Sequence, residues 1–325
     1  MKANIVEMEG GKLPKVSIII PCKYIDDYTR QCIHHCENLD YPEFEIIVLP
    51  DKNTNYNNKK IKIIPTDNVS PGKKRNIGVK NSDGEILAFI DSDAYPRKDW
   101  LRNAVNHFKS DDIVAVGGPG ITPGEDSDRQ KVSGYILSSF LVGNLNSRFK
   151  EKKVYESDDI HSCNFIAKRD VIERVKWNER YWPGEDTLMC LGIKKLGMRM
   201  IETPNVVVYH HRKPVFIPHL RQVLRFGLHR GFFVKKFPEN SLRLTYFVPS
   251  FLLLLLFSGG ILSFSHTIRV LFILFLIAYF TLAFIASLHA RNPKLVLLTW
   301  IGIIATHISY GVYFLAGLAI KELER

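Results

Sequence analysis

Apolar and polar positions follow two regimes along this 325-residue chain. In the first two hundred residues, short β-branched runs end abruptly in Pro or Asp. Val16-Ser17-Ile18-Ile19-Ile20 stops at Pro21, Phe44 to Leu49 at Pro50-Asp51, Ile61 to Ile64 at Pro65, and Ile86 to Ile90 at Asp91. Helix-like segments near 27–38 and 73–80 separate them, and another follows at 99–107. Short strands alternating with helices predict an α/β layer with a mostly parallel sheet. Ligands of such sheets bind beyond the carboxyl ends of the strands, where Lys23, Asp51 and Asp91 stand. Turn signals at Gly117-Gly118-Pro119-Gly120 and Pro123-Gly124 make 118–160 less regular, predicting a mobile or substrate-facing region before a second αβ portion at 162–210.

The second regime begins near residue 244. Stretches 244–268, 270–290 and 295–320 contain no Lys, Arg, Asp or Glu and run for 25, 21 and 26 residues. Roughly 20 helical residues cross a hydrocarbon layer of about 30 Å, so each stretch meets the length of a membrane span. The expected spans are 244–265, 269–289 and 295–319.

Charge refines this picture. The formal net charge is +11, which invites a nucleic-acid reading until the charge is located. Residues 1–203 carry a net of only +1, whereas 204–243 carry +7, and the excess adjoins the first apolar stretch. There Arg and Lys interleave with Phe216, Leu220, Leu224, Phe226, Phe232 and Phe233. That mixture suits amphipathic helices in a membrane interface, with basic stems reaching anionic lipid head groups and no nucleic acid involved. Residues 1–15 hold no apolar run of the secretory-signal type, and the odd count of five scattered cysteines fits reduced thiols. Both lead to the expectation that the N-terminal part lies in the cytoplasm. The basic residues then follow the positive-inside pattern, with three spans carrying the C-terminal tail to the far side.

Three constellations carry chemistry. Asp91-Ser92-Asp93 follows an apolar strand, and two carboxylates one residue apart can hold a hard divalent cation, although a strand-ending turn often uses Asp too. Pro183-Gly184-Glu185-Asp186 precedes a helix-like segment; the carboxylates either cap that helix or supply a general base. Arg225, in Gln222-Val223-Leu224-Arg225-Phe226, either faces lipid and solvent or neutralises a diphosphate.

In order, Val16 to Pro21, Tyr41-Pro42-Glu43-Phe44-Glu45, Ser70-Pro71-Gly72-Lys73-Lys74-Arg75-Asn76-Ile77-Gly78, Asp91-Ser92-Asp93 and Gly184-Glu185-Asp186 resemble the family 2 glycosyltransferases over roughly residues 14–236. Gln222 to Gly231, followed by the apolar stretches, looks like the membrane-anchored members that build cell-surface polysaccharides and lipid-linked glycans. The resemblance implies a nucleotide-diphospho-sugar transferase fold, Rossmann-like with a mostly parallel mixed sheet. A catalytic domain at 1–210, interface helices at 211–243 and a membrane domain at 244–325 would follow.

It further implies a multi-pass protein of the cell membrane with its catalytic domain cytoplasmic. Such an enzyme would move a sugar, with inversion, from a nucleotide-diphosphate donor to a lipid-linked acceptor. Pro21, Lys23, Asp51, Arg75, Asp91 and Gln222 would serve the donor, with Arg75 near its phosphates. Asp93 with Asp91 would hold Mg²⁺ or Mn²⁺, Asp186 beside Glu185 would be the base, and Arg225 would stabilise the leaving group. A processive synthase and a non-catalytic scaffold binding nucleotide sugar or anionic lipid are the alternatives. Phe226, where processive synthases usually have Trp, argues against the first, and the joint presence of Asp93, Asp186 and Arg225 against the second. Trp177, Tyr181 and Trp182 either stack on a sugar or pack, and His161 and Cys163 are expected to be core or acceptor-side residues.

Overall fold

The computed structural model describes residues 13–54, 56, 58, 61–110, 112–143 and 153–323. In chain order the elements begin with β1 (Val16–Pro21), α1 (Asp27–Glu37), β2 (Phe44–Leu49), β3 (Ile61–Ile63), α2 (Pro71–Lys80), β4 (Ile86–Phe89) and β5 (Ala94–Pro96). Next come α3 (Trp100–Val105), β6 (Ile113–Gly117), β7 (Gly120–Ile121), α4 (Asp128–Ser138), β8 (Tyr155–Glu156), β9 (Phe165–Lys168), α5 (Arg169–Val175) and α6 (Glu185–Lys195). The last are β10 (Arg199–Glu202), β11 (Val208–His210), α7 (Ile217–Lys236), α8 (Pro238–Ser241), α9 (Leu244–Leu262), α10 (His266–Ser287) and α11 (Pro293–Ala319). The chain divides into two compact units, residues 1–121 with 150–210, and residues 122–149 with 211–324.

The first unit is built on an eight-stranded sheet of order β3-β2-β1-β4-β9-β6-β10-β8. The β1–β2, β1–β4, β2–β3 and β6–β10 pairs are parallel, while β9 runs antiparallel to both β4 and β6. Every residue of β1 and β4 is buried, as a sheet covered on both faces requires, which is why these strands read as apolar runs broken only by Ser17. Helix starts are chemically marked. Asp26 caps α1 by accepting from the Thr29 amide at 2.9 Å, and Ser70 caps α2, whose first residue is Pro71. A second sheet of order β5-β11-β7 completes the unit.

The second unit corrects the expectation of irregularity at 118–160. Within it, α4 is a regular helix with a capping box in which Ser127 and Gln130 satisfy each other's backbone amides. The 144–152 part of that expectation falls outside the described residues. Val132 and Ile136 of α4 share a core with Ala283, Ala286, Leu295 and Ile303. The apolar helices Leu244–Leu262, His266–Ala290 and Pro293–Ala319 are each long and apolar enough to cross a membrane, with bounds a few residues from those expected. Helix α7 buries His219, Val223, Gly227, Gly231, Phe232 and Phe233, with Gly227 and Gly231 against α11, and leaves Arg221, Arg225, Lys235 and Lys236 exposed.

Candidate active site

Within the first unit, the residues expected to carry chemistry gather at the carboxyl ends of β1, β2 and β4. Lys74, buried on α2, donates to the carbonyls of Cys22 at 2.8 Å and Leu49 at 3.1 Å, and to Asp51 Oδ1 at 2.6 Å. One ammonium thereby ties the ends of β1 and β2 together and fixes the Asp51 carboxylate. Pro21 is buried at the end of β1, while Lys23 is exposed, its ammonium 5.1 Å from the centre of the Tyr24 ring. Lys74 sits inside the motif read from the sequence, yet nothing in the spacing showed that it bridges two strands.

Arg75 also lies on α2. Its guanidinium is fully buried and its bonds stay within the protein: Nη1 donates to Glu185 Oε1 at 2.9 Å, and Nη2 donates to Asp91 Oδ1 and Ser162 Oγ, each at 2.9 Å. It also lies 4.9 Å from the Trp177 ring centre, a cation–π geometry. Arg75 thus joins the end of β4 to the start of α6. Trp177 is buried against Phe89 and Phe165, which decides for packing, whereas Trp182 is half exposed.

Helix α6 starts at Gly184, whose φ of +118° lies in a region that favours glycine. That turn buries Glu185 and leaves Asp186 partly open in the first helical turn, where negative charge is favoured by the dipole. Burial raises the Glu185 pKa to about 7; Arg75 opposes the shift and the Asp186 charge adds to it. Asp186 Oδ2 lies 3.2 Å from His161 Nδ1, and Asp186 Oδ1 accepts from the Thr187 amide at 2.8 Å. His161 is thus the neighbour of the expected base, a role its sequence position did not signal.

A third group forms where the two sheets meet the end of β4. Strand β11 pairs antiparallel with β5, setting His210 opposite Ala94 and next to Asp93. His210 Nε2 lies 3.2 Å from Asp93 Oδ1. Ligand atoms of Asp91, Asp93 and His210 all lie within 4.8 Å of one another. Two carboxylates and an imidazole, partly open to solvent, make a donor set suited to Mn²⁺ or Mg²⁺. The Asp-x-Asp was legible in the sequence. His210 was not, because its place depends on strand register; the only trace is its position at the end of the apolar run Val206-Val207-Val208. Gln222, half-buried, and Arg225, exposed, lie on α7 in the second unit.

Comparison with known proteins agrees with this fold. Residues 17–176 match the model of glycosyl transferase family 2. The chain is 24% identical over 274 residues to a Methanococcus voltae dolichyl N-acetyl-alpha-D-glucosaminyl phosphate 3-beta-D-2,3-diacetamido-2,3-dideoxy-beta-D-glucuronosyltransferase, covering 79% of this chain and 85% of that one. It is 33% identical over 127 residues to the Staphylococcus aureus poly(ribitol-phosphate) beta-N-acetylglucosaminyltransferase TarS, a match to 33% of this chain and only 22% of that protein's length. Among solved structures, the mannosyltransferase PcManGT of Pyrobaculum calidifontis, in complex with GDP-Man and Mn²⁺, superimposes with a TM-score of 0.63 at 18% identity, covering 95% of this chain and 88% of that one. Residues 17–176 are therefore a glycosyltransferase family 2 domain, and the chain is a glycosyltransferase.

Proposed function

We propose that this enzyme transfers a sugar, with inversion, from a nucleotide-diphosphate donor to a lipid-linked acceptor for cell-surface glycan synthesis, working at the cytoplasmic face of the cell membrane. The observation that carries the reading is Asp186, held at the start of α6 beside His161 in the unit that also assembles Asp91, Asp93 and His210. In this mechanism an acceptor hydroxyl attacks the anomeric carbon opposite the leaving group. Asp186 takes the hydroxyl proton, the new C–O bond forms, and the electron pair of the breaking bond departs with the nucleoside diphosphate. Asp91, Asp93 and His210 would hold Mg²⁺ or Mn²⁺, which when bound neutralises charge on the departing diphosphate.

The other residues position these groups. Arg75 and Glu185 fix the first turn of α6, so Asp186 needs no rearrangement to accept the proton. Lys74 fixes the carboxylate of Asp51, which would contact the base of the donor. By the family resemblance alone, Gln222 would bind the donor and Arg225 would stabilise the leaving diphosphate. The lipid-linked acceptor is favoured by the Methanococcus voltae relative, named for a dolichyl phosphate-linked acceptor, and by the three long apolar helices. The exposed Arg221, Arg225, Lys235 and Lys236 on α7 would meet anionic head groups.

A thermal-shift screen of nucleotide sugars with and without Mn²⁺, followed by transfer assays on polyprenyl-phosphate-linked sugars, tests the reading. A donor that stabilises the protein only with metal, and a product of inverted anomeric configuration on the lipid, are expected. Equal transfer to soluble and lipid-linked acceptors, or retained configuration, would refute it.

A further inference from the structure

The three apolar helices of the second unit are alike in length and composition but unlike in what surrounds them. Helices α9 and α10, joined by 263–265, are open around much of their circumference. Phe251, Leu254, Phe257 and Ile261 of α9 and Leu271, Ile273, Leu274 and Ile277 of α10 are all exposed. At about 1.5 Å per residue, their 19 and 22 residues measure about 28 and 33 Å, the thickness of a hydrocarbon layer.

Helix α11 is flanked by charged helices from end to end. At its start, Lys294 pairs with Asp128 of α4 at 2.9 Å, and a side chain at Gly302 would strike Ile136 of α4. From its middle onward α7 runs beside it in the same direction. His219 meets Thr306 at 3.0 Å, Gly227 abuts the Tyr310 backbone, Gly231 abuts Phe314, and Lys235 Nζ donates to the Ile320 carbonyl at 2.6 Å. The glycines let the two backbones touch, so these helices share one depth wherever they sit. Were α11 to cross the bilayer, Arg221, Arg225 and Arg230 of α7 would be carried in with it, and charged side chains are expensive at that depth.

The contacts with the hairpin give α11 a transverse course. The beginning of α9 lies on its later part, with Ser250 donating to the Gly311 carbonyl at 3.0 Å and Phe247 against Phe314. The last part of α10 lies on its earlier part, with Trp300 donating to the Phe280 carbonyl at 3.0 Å and Tyr279 bonded to His307. The two ends of the hairpin thus rest on successive stretches of α11. Of its large apolar side chains, α11 exposes Leu297, Ile301, Ile308 and Val312 along one stripe and Tyr313 off it, a limited apolar surface that suits a helix lying in an interface.

We propose that only α9 and α10 cross the bilayer, as a helical hairpin, and that α11 lies across the base of that hairpin at the interface, returning the C-terminus to the side of the N-terminal unit. The charges agree. Arg269, beside the hairpin tip, falls on the far side, while Arg291, Lys294 and Lys321 fall on the near side with the basic block.

Protease shaving of sealed vesicles containing the full chain, tagged at either terminus, tests the proposal. Both tags should be cleaved from the same face, whereas tags cleaved from opposite faces would establish three crossings and overturn it. Spin labels at Leu297→Cys, Ile308→Cys and Val312→Cys, in a Cys163→Ser background, give an independent reading of depth. The three should report one shallow depth. A crossing helix would spread them over about 22 Å from residue 297 to 312, and such a gradient would also refute the proposal. Neither result depends on the donor or acceptor, so either can fail without touching the transfer reaction proposed above.

Discussion

Arg75 lies between Glu185 and Asp91, 2.9 Å from a carboxylate oxygen of each, so one buried guanidinium links the first turn of α6 to the residues that follow β4. Removing it strips buried Glu185 of its cationic partner, so the carboxyl must stay charged without compensation or take up a proton. Arg75→Ala should cost about 3–5 kcal/mol of stability, the range for breaking a buried pair. Arg75→Lys should recover only part of this, because a point charge cannot reproduce the planar fork. Thermal unfolding of the detergent-solubilised protein measures both, and a wild-type midpoint for Arg75→Ala would show that the link carries no load.

The Glu185 pKa of about 7 gives that carboxyl a pH signature. Its folded-state pKa exceeds its ordinary value of 4.5, so the native state holds the proton more tightly than the unfolded chain. The resulting stability is complete below about 4.5 and is lost as pH rises through about 7. The stability of wild type minus that of Glu185→Gln should therefore fall across this window and level off on either side. A difference independent of pH would contradict the burial argument.

Asp186→Asn should lower transfer by about 10² to 10⁴, the usual contribution of a general base, while the donor still raises the melting temperature. His161→Ala should lower kcat with little change in donor KM, since its described bond is to Asp186. Wild-type kcat in either variant would remove that residue from the mechanism.

For the proposed metal site, His210→Ala and Asp93→Ala should each weaken Mn²⁺ binding titrated without donor, and chelation should abolish the stabilisation that a nucleotide sugar gives the wild type. The His210 variant is the sharper test, because nothing in the Asp-x-Asp motif requires a histidine. If it bound Mn²⁺ as tightly as wild type, the imidazole would be a neighbour of Asp93 and not a ligand.

The five cysteines are free thiols, but Cys22, Cys32, Cys36 and Cys190 are buried. Burial pushes the Cys22 pKa up to about 12, leaving almost no thiolate at neutral pH. A maleimide should label native protein at Cys163 alone and all five positions in denaturant, as read by mass spectrometry. Rapid native labelling of Cys32 or Cys36 would show that α1 opens readily from the sheet.

Local physics made much of this protein readable from its sequence. Apolar runs cut by Pro or Asp revealed the strands, because a central parallel strand is buried on both faces. Uncharged length revealed the three apolar helices, because crossing a hydrocarbon layer needs a minimum span. Motif order singled out Asp91, Asp93, Glu185 and Asp186. The regular helix α4 went unseen because turn residues surround it and its apolar positions are few.

What only the tertiary structure decided are pairings between distant segments. The fold brings Glu185, 110 residues away, to the Arg75 guanidinium, a pairing that motif order does not show. His210 reaches Asp93 through the register of β5 with β11, and His161 reaches Asp186 through the placing of α6. The surroundings of α11 belong to the same class. Hydropathy reports how apolar a helix is and is silent on whether lipid or charged neighbours lie beside it, because that depends on where Gly227, Gly231 and Gly317 allow another backbone to approach.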